Sequence, residues 1–416
     1  MLSVDQDRLW RAHQEMGKIG ALPHGGCCRL ALDDDDRRGR ELFIRWCREA
    51  GCSIRIDRAG NIFARRPGTE DGLPAVATGS HLDTQPHAGL FDGIYGVLSG
   101  LEIFRTLNDA GIRTRAPLET IVWTNEECVR FAPPTGGSMV FCGLLPIDQF
   151  HAERTTDGTT VLADLERHGF LGNTFDHADH PLESFFEVHI EQGPILEREA
   201  KTIGVVIGIQ GARMYRVELV GQDNHAGTTP MDMRRDAFDG AARLGVRLNE
   251  MARAMDPALC FTIGHFNLSP NAASTVPGEA AFEIDLRHPD ESVLDRYEAQ
   301  MRAALAEIAG QASLSFSIED ICSIPTVRFA GDLVDLVEAT AGQLGYSHMR
   351  LLSGAGHDSA NLAAIAPTAM IFVPCVEGIS HNEAEMASPE DLAAGANVLL
   401  HSMLARAGVA DERTIP

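Results

Sequence analysis

The sequence has no apolar run long enough to cross a bilayer, which excludes a helical membrane span. Its first residues, Met1-Leu2-Ser3-Val4-Asp5-Gln6-Asp7, lack the basic and apolar segments of a secretion signal, so a cytoplasmic location is expected. Positive charge is scarce. Lys and Arg total 35 against 59 Asp and Glu, a net charge of −24. Such a surface cannot displace the counterions of a nucleic acid, and nucleic-acid binding is excluded as a function class. An anionic substrate would then need a local arginine. No C-x-x-C pair occurs, and nine scattered cysteines in a long chain do not form a disulfide framework; they read as reduced, mostly buried thiols. Internal repeats and low-complexity tracts are also missing.

What is present is a globular composition, 44% hydrophobic and 23% charged, over 416 residues, too many for one ordinary core. Helical patterns occupy residues 5–20 and 37–51, with the run Asp33-Asp34-Asp35-Asp36 reading as a solvated cap at the second. Strand patterns follow at Ser53–Asp57, Asn61–Arg65, Ala75–Ser80, Thr120–Asn125, Ser184–Ile190, Thr202–Ile207 and Thr368–Val373. Helices follow Asp92 and close the chain around 389–406. This alternation implies an α/β domain with a mainly parallel central sheet flanked by helices. Ligands of such sheets sit beyond the carboxyl ends of the strands.

Residues 210–327 have another rhythm. Strands at Met214–Val220, Cys260–Phe266, Ala280–Leu286 and Ser313–Ile318 alternate with helices at Arg234–Met255 and Glu291–Ile308. The order β-α-β-β-α-β predicts a ferredoxin-like α+β domain. It is inserted into a catalytic domain formed by 1–209 and 328–416, because the chemical motifs lie on both sides of it.

Those motifs are Gly79-Ser80-His81-Leu82-Asp83, Phe91-Asp92-Gly93, Asn125-Glu126-Glu127, His189-Ile190-Glu191-Gln192-Gly193 and Ser380-His381-Asn382-Glu383. His81, Glu126, Glu127 and His189 fall at or just past strand ends. Asp83, two residues from His81, is placed to accept a hydrogen bond from that imidazole and fix its tautomer. Asp92 has two oxygens and could bridge two cations, or cap the following helix. The pair Glu126-Glu127 would repel unless a cation lay nearby; one can bind it while the other holds water. Three imidazoles and these carboxylates suffice for two divalent ions and a separate base. Cys128 reads as structural filling rather than a nucleophile. Of the other histidines, His13, His24, His168, His177, His180 and His401 read as surface residues.

The ordered set, with Gly221–Pro230 and Ser353–Asp358, resembles the amidase, hydantoinase/carbamoylase branch of the dinuclear metallopeptidases over about residues 75–385. The resemblance implies hydrolysis of a linear amide C–N bond in a ureido acid, foremost an N-carbamoyl-L-amino acid, with β-ureidopropionase or allantoate amidohydrolase as the alternatives. It implies two divalent ions per subunit (Zn²⁺, or Mn²⁺, Co²⁺ or Ni²⁺), with His81 and His189 on one, Glu127 and His381 on the other, and Asp92 between them. Glu126 becomes the general base, with Asp83 and His225 assisting, His225 as oxyanion donor. Gln192, His225, Asn271, Arg287, Gly356 and His357 become substrate residues, Arg287 gripping a carboxylate. The inserted domain becomes a lid through which a homodimer forms. Cys128-Val129-Arg130-Phe131 departs from the Gly-Ser-Arg-Phe-like run usual there, and Thr84-Gln85-Pro86-His87 is one of several variants; both bear on substrate choice. Gln192 and the His381-Asn382-Glu383 segment argue against a metallo-aminopeptidase or dipeptidase. The intact ligand set argues against a non-catalytic binding protein.

Overall fold

The computed structural model describes residues 1–173 and 175–410, which form two compact units, one built from the chain up to Gly208 and again from Arg328 onward, the other Ile209–Val327. The first is built on a nine-stranded sheet. At its centre Leu118–Trp123, Ala75–His81, Leu182–Ile190 and Thr368–Val373 lie side by side, each pair parallel. Three of these four strands are buried along their whole length. Such burial is expected when helices cover both faces of a parallel sheet. The flanks turn antiparallel: Ile62–Arg66 on Leu118–Trp123, Ser53–Ile56 outside it, and Ile203–Ile209 on Thr368–Val373.

Helices Ile94–Asp109 and Pro389–Ala407 pack against the central strands and each other. The Tyr95 hydroxyl donates to the Leu392 carbonyl at 2.7 Å, joining them. Pro389 at the first turn and Ser388, whose hydroxyl accepts the Asp391 N–H at 3.0 Å, start the closing helix. Among the described residues no helix is long and apolar enough to cross a membrane.

The second unit carries a four-stranded antiparallel sheet in the order Ser315–Ile324, Gly211–Val220, Glu279–His288, Cys260–Ser269. With helices Ala237–Met255 and Glu291–Gln311 between strands, this is the ferredoxin-like arrangement. Period-two residues such as Tyr215, Val217 and Leu219 bury one face with Leu244, Leu248, Tyr297 and Met301 of the helices.

Several expectations need correction. Of the six histidines read as superficial, only His24 is exposed. His13 is fully buried between the Phe91 and Tyr95 rings, and His180 bonds Glu119 at 2.7 Å inside an aromatic cluster. A histidine in an amphipathic helix faces inward when its register demands it, which solvent-facing intuition misses. The acidic run is not uniformly solvated either. Asp33 caps the helix, but Asp36 is buried and paired with Arg40 at 2.7 Å. Helices Gly136–Phe141, Ile147–Ala152, Val161–His168 and Gly331–Gln343, and the strand His348–Ser353, had no counterpart in the sequence reading.

Candidate metal centre

His81 ends its strand and His189 is the penultimate residue of the neighbouring one, so parallel pairing alone brings both imidazoles to the carboxyl edge of the sheet. Each ring is fixed through Nδ1, His81 to the Asp83 carbonyl at 2.8 Å and His189 to the Ile190 carbonyl at 2.8 Å. A carbonyl only accepts, so both Nδ1 atoms carry the proton and both Nε2 lone pairs are presented inward. They converge on one oxygen of Asp92, His189 Nε2 at 3.1 Å and His81 Nε2 at 3.6 Å. Asp92 reaches them from the turn before helix Ile94–Asp109. There Gly93 takes φ +70°, and a Cβ on it would lie 2.3 Å from His81 Nε2, so only glycine fits.

The other Asp92 oxygen faces His381 Nε2 at 3.2 Å, and His381 in turn lies 3.5 Å from Glu127. Two triads with mutually close donor atoms therefore share Asp92: His81, Asp92 and His189, and Asp92, Glu127 and His381. Beyond strand Leu118–Trp123, Asn125 turns left-handed at φ +58°, and the next two side chains diverge. Glu127 joins the second triad, while Glu126 stands 3.8 Å from His81 Nε2.

The electrostatics suit a cation. Burial, reinforced by the charge of Asp92, pushes the Glu127 carboxyl up to about 7. Burial pushes Glu126 well above the usual range too, against the opposing pull of His81. Burial acts the same way on Asp92, but when His189 and His381 also carry a proton on Nε2, their hydrogen bonds outweigh it and hold that carboxyl well below its ordinary value; a metal ion would take the place of those protons. Among the described residues no lysine or arginine is ion-paired with Asp92, Glu126 or Glu127. The buried Glu127 Oε1 has no hydrogen-bond partner. Imidazole nitrogens and carboxylate oxygens clustered without a counter-charge fit a divalent metal ion.

One expectation about this shell was wrong. The Asp83 carboxylate does not accept from His81; it accepts the backbone N–H groups of Glu126 at 3.3 Å and Glu127 at 3.2 Å, and it is the Asp83 carbonyl that takes the imidazole proton. The strand ends at His81, so side-chain alternation no longer places Asp83 beside it.

Of the residues expected to hold substrate, Gln192 donates to Asp92 at 2.8 Å. His357 lies with its ring 4.6 Å from that of His189, and its Nε2 is 3.0 Å from the Ser353 hydroxyl. Burial, then the neighbouring His189, holds His357 well below the usual imidazole range, so it is neutral. Gly356 is exposed just before it. His225, Asn271 and Arg287 belong to the second unit. There His225 lies on the short strand Asn224–His225, Asn271 takes φ +52°, and Arg287 pairs with Asp285 at 2.8 Å.

Three buried acids, Glu187, Asp358 and Glu385, were given no role in the sequence. Glu187 accepts Ser80 Oγ at 2.8 Å with one oxygen and the Ser359 N–H and hydroxyl with the other. It forms a further close group with His189 and His357, but its oxygens are already engaged, which marks it as scaffold. Asp358 accepts from the Ser138 hydroxyl. Glu385 accepts the Phe91 and Asp92 N–H groups, and Ser380 contacts both Glu385 and Asp92. A signal existed for Glu187, an acid two residues before His189 and so on the same face of the strand.

Residues 77–405 match peptidase family M20/M25/M40. The chain belongs to this family. Among M20/M25/M40 relatives, an N-carbamoyl-L-amino-acid amidohydrolase of Rhizobium meliloti is 45% identical over 409 residues, covering 98% of each chain. A ureidoglycolate hydrolase of Oryza sativa subsp. japonica is 34% identical, covering 96% of this chain and 84% of its own. A solved amidase of the hydantoinase/carbamoylase family from Burkholderia multivorans has 48% identity and a TM-score of 0.93, with 98% of both chains covered. This M20/M25/M40 member is therefore a hydrolase of the hydantoinase/carbamoylase amidase group.

Proposed function

We propose that the chain hydrolyses an N-carbamoyl-L-amino acid to the amino acid, carbon dioxide and ammonia, using two divalent ions. The observation that carries this is the placement of Asp92, one oxygen toward His81 and His189 and the other toward His381, with Glu126 kept out of the second triad. One ion would be held by His81, His189 and Asp92, the other by Asp92, Glu127 and His381. Zn²⁺, Mn²⁺, Co²⁺ or Ni²⁺ suits such donors. Bound there, the ions supply Lewis-acid polarisation of the scissile carbonyl and a lowered pKa for the attacking water.

The chain's own groups do the rest. Glu126 takes the proton of the attacking water and returns it to the departing nitrogen. Asp83, gripping the N–H groups of both glutamates, keeps Glu126 aimed. One water added to the ureido carbon and cleavage of its bond to the amino acid's nitrogen leave carbamic acid, which falls apart to carbon dioxide and ammonia. Gln192, Gly356 and His357, with Asn271 and Arg287, bind the substrate, Arg287 its carboxylate. His225 serves the developing oxyanion. Its Nδ1 accepts the N–H groups of Gly227 at 3.0 Å and Thr228 at 3.2 Å, which leaves the proton on Nε2 and makes that atom a donor.

The second unit serves as lid and as the contact of a homodimer. Its edge strand Cys260–Ser269 and the helix Ala237–Met255 expose Phe266 and Val246, 40% and 62% accessible, which supports association there.

The test is release of ammonia, or of free amino acid for the dipeptides, by metal-depleted enzyme reloaded with each of the four ions. The panel is N-carbamoyl-L-amino acids, 3-ureidopropionate, allantoate, ureidoglycolate and dipeptides. Turnover is expected on the first class above the others. Cleavage of dipeptides alone would sink the proposal, and preference for ureidoglycolate would move the chain toward its rice relative.

A further inference from the structure

Resting on the two-ion reading above, we propose that Glu385 is a positioning residue that locks Asp92 to His381 and so builds the second metal triad. The need for one follows from how differently the two triads are anchored. His81 and His189 project from adjacent strands and are tethered to carbonyls within two residues of themselves. Asp92 and His381 come from two irregular segments far apart in sequence, and His381 sits at φ +52° with its side chain 48% accessible. Nothing in the sheet fixes the distance between those two segments.

Glu385 bridges them. One of its oxygens accepts the backbone N–H groups of Phe91 and Asp92, each at 3.1 Å. These lie just ahead of helix Ile94–Asp109, where N–H groups have no partner in the preceding turn. The other oxygen lies 2.9 Å from the hydroxyl of Ser380, the residue before His381, and that hydroxyl is also 3.1 Å from the Asp92 oxygen facing His381. A single carboxylate thus holds the main chain of the shared ligand and the neighbour of the outer imidazole. It is nine-tenths or more buried, and the fold is shaped around it: a Cβ on Gly89 would lie 2.4 Å from the Glu385 side chain. Glu385 takes part in neither triad itself. Its place is behind the ligands, where loss of an orienting partner typically costs about 10–100-fold in metal affinity.

The consequence is site-selective. Glu385→Ala should weaken the ion at Asp92, Glu127 and His381 by about 10–100-fold and leave the ion at His81 and His189 within about threefold. Calorimetric titration of metal-free enzyme with Zn²⁺, read together with the bound metal after gel filtration, reports both affinities. Glu385→Gln retains a carbonyl oxygen for the two N–H groups and an amide to donate to Ser380, so it should restore most of the second affinity. Ser380→Ala breaks the link to the His381 segment alone and should lower the same affinity with the metal-free melting temperature nearly unchanged; it carries the test if Glu385→Ala fails to fold. Equal weakening of both ions, or unchanged binding in both Glu385→Ala and Ser380→Ala, would overturn the proposal. If unmodified enzyme binds one ion only, the two-ion reading fails instead, and the two failures are told apart by that control.

Discussion

Glu126 and Glu127 are the same residue type one position apart, and the fold gives them different work through one left-handed neighbour, Asn125, and through what each meets next. Glu127 meets His381 and the Gln85 amide at 2.7 Å; Glu126 meets His81. If Glu126 is the base, Glu126→Gln should keep both metal ions, measured by elemental analysis, while kcat falls about 10²–10⁴-fold. A variant that lost metal in proportion to activity would make Glu126 a ligand instead. At this scale the sequence was legible wherever chemistry is confined to side chains. His81, Asp92, Glu127, His189 and His381 stand out as imidazoles and acids beside strand ends or glycines, and the structure gathers them. It was illegible where the partner is main chain. No residue type marks the N–H groups that capture Asp83 and Glu385, so the first was given the wrong partner and the second went unmarked.

At the scale of elements, the four central strands announced themselves as short runs with few charged residues, as burial on both faces demands. Thr368–Val373 was read with the bounds it has. The stretch between Glu127 and Leu182 was not, since Gly136–Phe141 and Ile147–Ala152 are six residues each and too short for a helical period to show. The turn that aims Asp92 is the element on which the centre depends most. Gly93→Ala would need a Cβ 2.3 Å from the His81 ring and a backbone at φ +70°. Such strain costs about 1–3 kcal/mol, so the melting temperature should fall and the ion at His81 and His189 should bind more weakly. A Gly93→Ala enzyme with unchanged melting and metal content would show that the turn can relax.

For the molecule as a whole, acid sensitivity should owe something to His13, far from the strongly acidic surface in its origin. Burial pushes this imidazole from 6.5 down to about 4, opposed only in part by the Leu9 carbonyl on Nδ1, and Nε2 has no partner at all. The folded chain keeps the ring neutral while the unfolded chain protonates it below pH 6.5. The unfolded state then binds more protons, so stability falls as pH drops from about 6.5 toward 4, by up to about 3 kcal/mol. Urea unfolding of the wild type and His13→Phe at pH 7.5 and 4.5 reads this out: the gap between the two proteins should move in favour of the variant at the lower pH. A gap that does not change with pH would remove His13 from the account.

The inserted unit begins and ends at one place. Ala212 is paired with Ile324 inside it, and in the host the Phe329 N–H donates to the Ile207 carbonyl at 3.2 Å. Each body is thus a closed loop at its own doorway, and the long excursion adds little chain-closure entropy to the host. A guest attached this way can be lengthened, reshaped or exchanged during evolution with the parallel strands of the host keeping their alignment. One hydrolytic platform can in that manner carry different guests.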